Sequence, residues 1–130
     1  SLLLDTNVCI AYMNGKDPEV RRRLLAEDPG EVLLCSVVKA ELVFGARKSA
    51  FVEENLRRLE LFFAPFRSVP FDDDAARAYG SIRAQLEREG LSIGANDLFI
   101  AATALASDLT LVTRNQDELR RVPGLRVVAW

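Results

Sequence analysis

Apolar residues along the chain fall into two rhythms, and their alternation lays out a fold. Short unbroken runs, Leu2-Leu3-Leu4, Val32-Leu33-Leu34-Cys35 and Leu109 to Val112, suit strands buried on both faces. Arg67 to Phe71 and Leu125 to Trp130 read as two further strands, and the second strand opens at Glu31. Between the strands the apolar positions recur every three or four residues, as in Val52, Leu56, Leu59, Phe63 or Ala75, Tyr79, Ile82, Leu86. This spacing predicts helices over 7–13, 18–27, 37–47, 50–63, 72–89 and 98–106, with a short helical turn before Pro123-Gly124. Asn14-Gly15, Asp28-Pro29-Gly30, Pro65 and Gly90 break the segments. Ser36 and Asn96 stand where N-caps are wanted, and Asp72-Asp73-Asp74 suits a first helical turn.

The resulting order is βααβααβααβαβ. Strands that alternate with helices imply right-handed crossovers. The expectation is an α/β fold, one domain over 1–130, with a mainly parallel five-stranded sheet between helices (an α/β/α sandwich). Every strand-to-helix turn then lies on one edge, where open α/β sheets build their sites. Asp5 follows the first strand, Glu41 lies in the helix after the second, and Asp97 opens the apolar helix Leu98 to Ala106. Asn115, Asp117 and Glu118 follow the fourth strand. An Asp after a strand is also a common helix cap, so Asp5 alone proves nothing. Glu41 has Val37, Val38, Phe44 and Gly45 one turn away, and a carboxylate beside an apolar face is costly unless partnered.

Composition narrows the chemistry. With 130 residues and 49 % of them apolar, the chain can bury a full core. It has no histidine, which removes Ser-His-Asp and Cys-His catalysis and the common zinc sites. The two cysteines, Cys9 and Cys35, sit in apolar segments and read as buried free thiols of a cytoplasmic protein. No run approaches the ~18 apolar residues of a membrane span. A net charge of −2 argues against coating nucleic acid by bulk electrostatics. All basic residues except Lys16, Lys39 and Lys48 are arginines, however, and arginines lining one face would serve a nuclease.

Crowded carboxylates raise one another's pKa, and a divalent cation would relieve them. Oxygen donors without His or paired Cys favour Mg²⁺, with Mn²⁺ as substitute. Hard cations so held suit phosphoryl chemistry. The expectation is that Asp5, Glu41 and Asp97 converge closely enough to share one cation. The fourth ligand is open among Asn115, Asp117 and Glu118. Phe51, Leu61, Phe62 and Phe66 add apolar area beyond one helical stripe, as extra core or as a partner-binding surface.

At Leu3-Leu4-Asp5-Thr6-Asn7, Glu41-Leu42-Val43-Phe44-Gly45-Ala46, Gly94-Ala95-Asn96-Asp97 with Ile100-Ala101-Ala102, and Leu111-Val112-Thr113-Arg114-Asn115, the chain resembles the PIN-domain ribonucleases, in particular the VapC toxins. Asn55 to Leu59, Ala76 to Gly80, Val122 to Leu125 and Trp130 are similar to the initiator-tRNA-specific branch. Ala95 replaces a frequent Pro, Thr103 a frequent His, and Asn115 stands at a position often acidic. The resemblance implies a Mg²⁺-dependent endoribonuclease, with Asp5, Glu41 and Asp97 as ligands. It would cleave a structured RNA, initiator tRNA near the anticodon foremost, leaving a 3′-hydroxyl. It also implies homodimers, a VapB antitoxin whose C-terminal segment fills the acidic groove, higher toxin–antitoxin assemblies, and DNA contact only through the antitoxin. Two rival readings are a metal-dependent phosphatase with Asp5 as nucleophile and a non-catalytic RNA- or protein-binding domain. The first lacks a second Asp at position 7, and the intact Asp5, Glu41 and Asp97 weigh against the second.

Overall fold

A computed structural model describes residues 1–130. The elements are β1 (Leu2–Leu4), α1 (Thr6–Met13), α2 (Pro18–Ala26), a 3-10 turn (Pro29–Glu31), β2 (Val32–Cys35), α3 (Ser36–Arg47), α4 (Val52–Phe63), β3 (Arg67–Val69), α5 (Asp73–Arg88), α6 (Ala95–Ala106), β4 (Thr110–Thr113), α7 (Gln116–Leu119) and β5 (Val127–Ala129). Every pair of strands is separated by helix, and a chain that crosses over a sheet in this way returns parallel. The five strands accordingly form one parallel sheet in the order β3-β2-β1-β4-β5. Of the five, the first in sequence is thus the middle one. Leu3 pairs with Leu33 on one side and Leu111 on the other, and Leu3, Leu4, Leu34, Leu111 and Val112 are fully buried.

The alanines of α6 let it lie close against its surroundings: Ile100, Ala101, Ala102 and Ala104 are buried together with Thr103, whose hydroxyl donates to the Phe99 carbonyl. Phe99 stacks on Tyr79 of α5 with ring centres 4.5 Å apart, and Phe71 meets Phe99 edge-on at 5.1 Å. Cys9 and Cys35 are buried free thiols. No helix is long and apolar enough to cross a membrane.

The predicted elements are all present, with differences at their ends. The third strand stops at Val69 and the fifth covers only Val127–Ala129. Asp72 does cap α5, accepting from the Ala75 N–H at 2.9 Å. Ser36 and Asn96 do not cap. Each helix begins earlier than expected, so both residues lie inside the first turn and the cap positions fall to Cys35 and Gly94, neither with a side-chain cap bond. Phe62 is also not a surface residue. It is 9 % exposed and packs on Tyr12 of α1 at 5.6 Å and on Phe66 at 5.5 Å. Leu59, Phe62 and Phe63 are three and four residues apart, so they share the inward face of α4. Leu61 and Phe51, 77 % and 68 % exposed, remain on the surface, and Phe66 is half-buried.

Candidate functional site

Asp5 leaves the end of β1 into the first turn of α1. Its backbone N–H donates to the Val112 carbonyl at 3.0 Å, extending the pairing of β1 and β4 by one residue. One carboxylate oxygen, Oδ1, accepts from the Val8 N–H at 2.9 Å, which is the helix cap. The other, Oδ2, accepts from the hydroxyl of Thr113 at the end of β4. Capping therefore accounts for only one of its two oxygens. The residue is 4 % exposed.

Its neighbours carry the network outward on both sides. Thr6 donates its hydroxyl to Glu41 Oε1 at 2.8 Å, tying α1 to α3. Thr113 Oγ1 also accepts from the Asn115 N–H at 2.9 Å. The Asn115 amide, Nδ2, then reaches Asp97 Oδ2 at 3.2 Å and Glu118 Oε2 at 2.6 Å. Glu118 Oε1 accepts from the Gly94 N–H at 2.8 Å, just ahead of α6. Asp5, Asp97 and Glu118 are thus bound into one array on the sheet's carboxyl edge, with Asn115 as a donor between two of them, and Glu41 is attached to it through Thr6, the residue after Asp5. Asp117 is exposed and makes no such bond. Thr6 and Thr113 were the members that sequence reasoning missed. A threonine at a strand end is common, and its partner lies 108 residues away.

Charge in the array is poorly compensated. Burial pushes the Asp5 carboxyl up, the charge of Glu41 adds to this, and the Thr113 hydroxyl with the Val8 and Arg114 N–H groups pull against it. Burial also raises Asp97, followed by repulsion from Glu118, Asp5 and Glu41, against the Asn115 amide. Glu118 goes the other way, lowered by Asn115, Gly94 and the nearby Arg121.

The all-oxygen donor set suits a hard divalent cation. The expected three-carboxylate cage is not found: no three acidic side chains are grouped closely enough to hold an ion as they stand. The reason is visible in the bonds above, since each carboxylate is turned toward a protein donor. A site for Mg²⁺ need not be such a cage, because Mg²⁺ commonly keeps several waters and takes one or two carboxylates. Asp97 Oδ1 and Glu41 Oε2 accept no hydrogen bond from the protein, and they sit among acids whose repulsion a cation would lower. The residues fit the ion on chemistry and charge.

Glu41 also borders a groove of about 310 Å³ between α1, α3 and α4, lined by Ile10, Met13, Leu42 and Leu59 among others. The array therefore opens beside an apolar trough.

The PIN domain family matches residues 2–125. Ribonuclease VapC2 of Rickettsia felis is 38 % identical over 131 residues, covering 98 % of this chain and 96 % of that protein. The tRNA(fMet)-specific endonuclease VapC of Shigella flexneri is 39 % identical over 128 residues, with 98 % and 96 % covered. Among solved structures, the DNA-bound VapBC of Salmonella typhimurium superposes with a TM-score of 0.94 at 35 % identity, covering 100 % of this chain and 98 % of that one. A chain with this sheet order, this acidic edge and these relatives belongs to the PIN-domain family, among the VapC ribonucleases.

Proposed function

We propose that this protein is the toxin of a VapBC pair and acts as a Mg²⁺-dependent endoribonuclease, with Mn²⁺ able to substitute. The observation that carries the reading is the hydrogen-bonded array that gathers Asp5, Glu41, Asp97 and Glu118 at one sheet edge while leaving Asp5 and Asp97 with raised pKa values. Asp97 and Glu41, each with an oxygen free of protein donors, would hold the cation, with Asp5 and Glu118 adding negative charge beside it. A cation there supplies Lewis-acid polarisation of the phosphate and a lower pKa for attacking water. The chain's own part is positional. Asp5 is fixed by two donors, Thr6 aims Glu41, and Asn115 aims Asp97 and Glu118. The hydrolysis forms a bond from the water oxygen to phosphorus and breaks phosphorus–O3′, the departing oxygen taking a proton to become the 3′-hydroxyl. As a phosphatase nucleophile Asp5 would be badly placed, since it is buried with both oxygens already accepting.

The relatives named for tRNA(fMet) support initiator tRNA as the substrate; cleavage near the anticodon, in the cytoplasm, completes the proposal. The VapBC complexes among the solved structures support a VapB antitoxin as partner. Two of those complexes carry DNA, in keeping with operator binding through the antitoxin of a dimeric toxin's assembly. The trough beside Glu41 supplies apolar area for the antitoxin segment, and exposed Phe51 and Leu61, outside the trough's lining, add apolar surface at α4. The test is to express the protein briefly, sequence the new RNA ends, and repeat the cleavage on purified tRNA with Mg²⁺ and with EDTA. New 3′-hydroxyl ends at one tRNA position, lost in EDTA, are expected. Cleavage that persists in EDTA overturns the metal; the absence of any cleavage overturns the enzyme.

A further inference from the structure

Arg114 stands between the two residues that hold the array together. Thr113 before it donates to Asp5, and Asn115 after it donates to Asp97 and Glu118. Its own guanidinium does not turn to any of these acids. It pairs with Asp17 Oδ2 at the N-terminus of α2, while Asp17 Oδ1 accepts from the Glu19 and Val20 N–H groups. Asp17 therefore holds the arginine at the rim and out of the carboxylate array. Arg114 also lines an open polar depression of about 270 Å³ with Asn115, Gln116 and Asp117.

An RNA strand approaching four carboxylates meets repulsion on every phosphate beyond the one a cation can serve. A cation on the rim is needed to offset it, and a guanidinium matches phosphate with two parallel donors. The arginines near the array are engaged differently: Arg121 with the Ser92 carbonyl beside Glu118, Arg120 with Gln116, and Arg58, which borders the groove with Glu41, with the Met13 carbonyl. Only Arg114 has a neighbour on each side that touches the array. Its side chain is 43 % exposed in a pair of the kind that adds little to stability, so it can be exchanged for another anion at small cost.

The geometry points to Arg114 as a positioning residue of the reaction, parked on Asp17 in the free protein and transferred to the RNA phosphate beside the scissile one. This rests on the ribonuclease reading above, and the test separates the two. Binding of initiator tRNA transcript to the parent, Arg114→Ala, Arg114→Lys and Asp17→Asn is measured in EDTA over a range of salt, with cleavage in Mg²⁺ and thermal melts alongside. Arg114→Ala is expected to weaken binding about tenfold, the loss of one charged hydrogen-bonding partner. Its slope of log affinity against log salt should fall by about 0.7 to 0.9, one phosphate contact. Arg114→Lys should restore the slope but only part of the affinity. Asp17→Asn keeps the helix cap, frees the arginine, and should bind as tightly as the parent or tighter. If Arg114→Ala keeps the parent's slope, or if Asp17→Asn weakens binding as much as Arg114→Ala, the pair is only a structural clasp and the inference fails. If the parent neither binds nor cleaves RNA, the ribonuclease reading fails with it.

Discussion

Thr113 and Asp5 lie 108 residues apart in sequence, yet the hydroxyl of one donates directly to the buried carboxylate of the other. The bond joins the ends of β4 and β1 and leaves Asp5 with a donor on each oxygen. Thr113→Val keeps the shape and removes that donor. It should cost about 1–3 kcal/mol of stability, because a buried charge loses a partner. RNA cleavage should fall about 10–100-fold, the usual penalty for disturbing a group that orients a ligand. Thr113→Ser should recover most of both. Urea unfolding and tRNA cleavage decide it, and a Val variant as active as the parent would rule out the orienting role.

Asp5 and Asp97 set the sign of the pH response. Both have folded pKa values above the ordinary 3.8, so the folded state holds the extra protons between that value and the raised one. Their contribution to stability is most favourable below the unfolded pKa and is lost as pH rises through the folded pKa. Asp17 is the opposite case: its pKa is lowered, chiefly by the Val20 N–H and then by Arg114, so its contribution is lost as pH falls through that lower value. In EDTA, the parent should therefore gain stability as pH falls through these raised values, before acid unfolding begins. Asp97→Asn should gain less over the same range. Melting curves at a series of pH values would show equal slopes if the array were not strained by its charge.

Asp97→Asn also separates metal binding from helix formation. Gly94, not Asp97, occupies the cap position of α6, so the substitution removes a repelled charge without removing a cap. In EDTA the variant should melt no lower than the parent. At Mg²⁺ a hundredfold above its dissociation constant the parent should gain about 2.7 kcal/mol, and the variant much less. Cleavage should fall steeply. A variant that is badly destabilised in EDTA but still cuts RNA would place Asp97 among the structural residues.

Adjacent residues of α4 should behave in opposite ways. Phe62→Ala opens a cavity against Tyr12, Phe63 and Phe66 and should cost about 3–5 kcal/mol. Leu61→Ser changes an exposed position and should stay within about 0.5 kcal/mol of the parent. If the antitoxin covers this side, Leu61→Ser should weaken its binding. Chemical unfolding and titration with antitoxin give both numbers, and a Phe62→Ala protein as stable as the parent would contradict the packing.

The sheet was legible because its strands are apolar runs buried on both faces, and alternation with helices forces parallel pairing. The edge position of Asp5 was legible for the same reason, since it ends a strand of a parallel sheet. Glu41 lies inside α3 and Asp97 opens a helix that follows another helix, so their placement needed more than strand-to-helix turns. The links between these acids were not legible. Thr6, Thr113 and Asn115 act through hydrogen bonds that depend on which strands are neighbours, and element order alone leaves strand order open. Of the two readings left open for Phe62, extra core is the one found: it lies three residues after Leu59 and one before Phe63, within the buried face of α4. The caps at Ser36 and Asn96 failed for a smaller reason. A suitable side chain marks a helix start only to within a residue or two.

The position of β1 has a consequence for how the protein is made. It is made before the other four strands, yet one of its two edges waits for β4, the fourth of the five to be made. Until Thr110–Thr113 has emerged, Asp5 lacks its threonine, and neither Asn115 nor Glu118 has been synthesised. No nascent fragment short of β4 holds the assembled array. An enzyme that attacks RNA is thereby built on an RNA machine with its site unfinished until β4 and α7 have been translated.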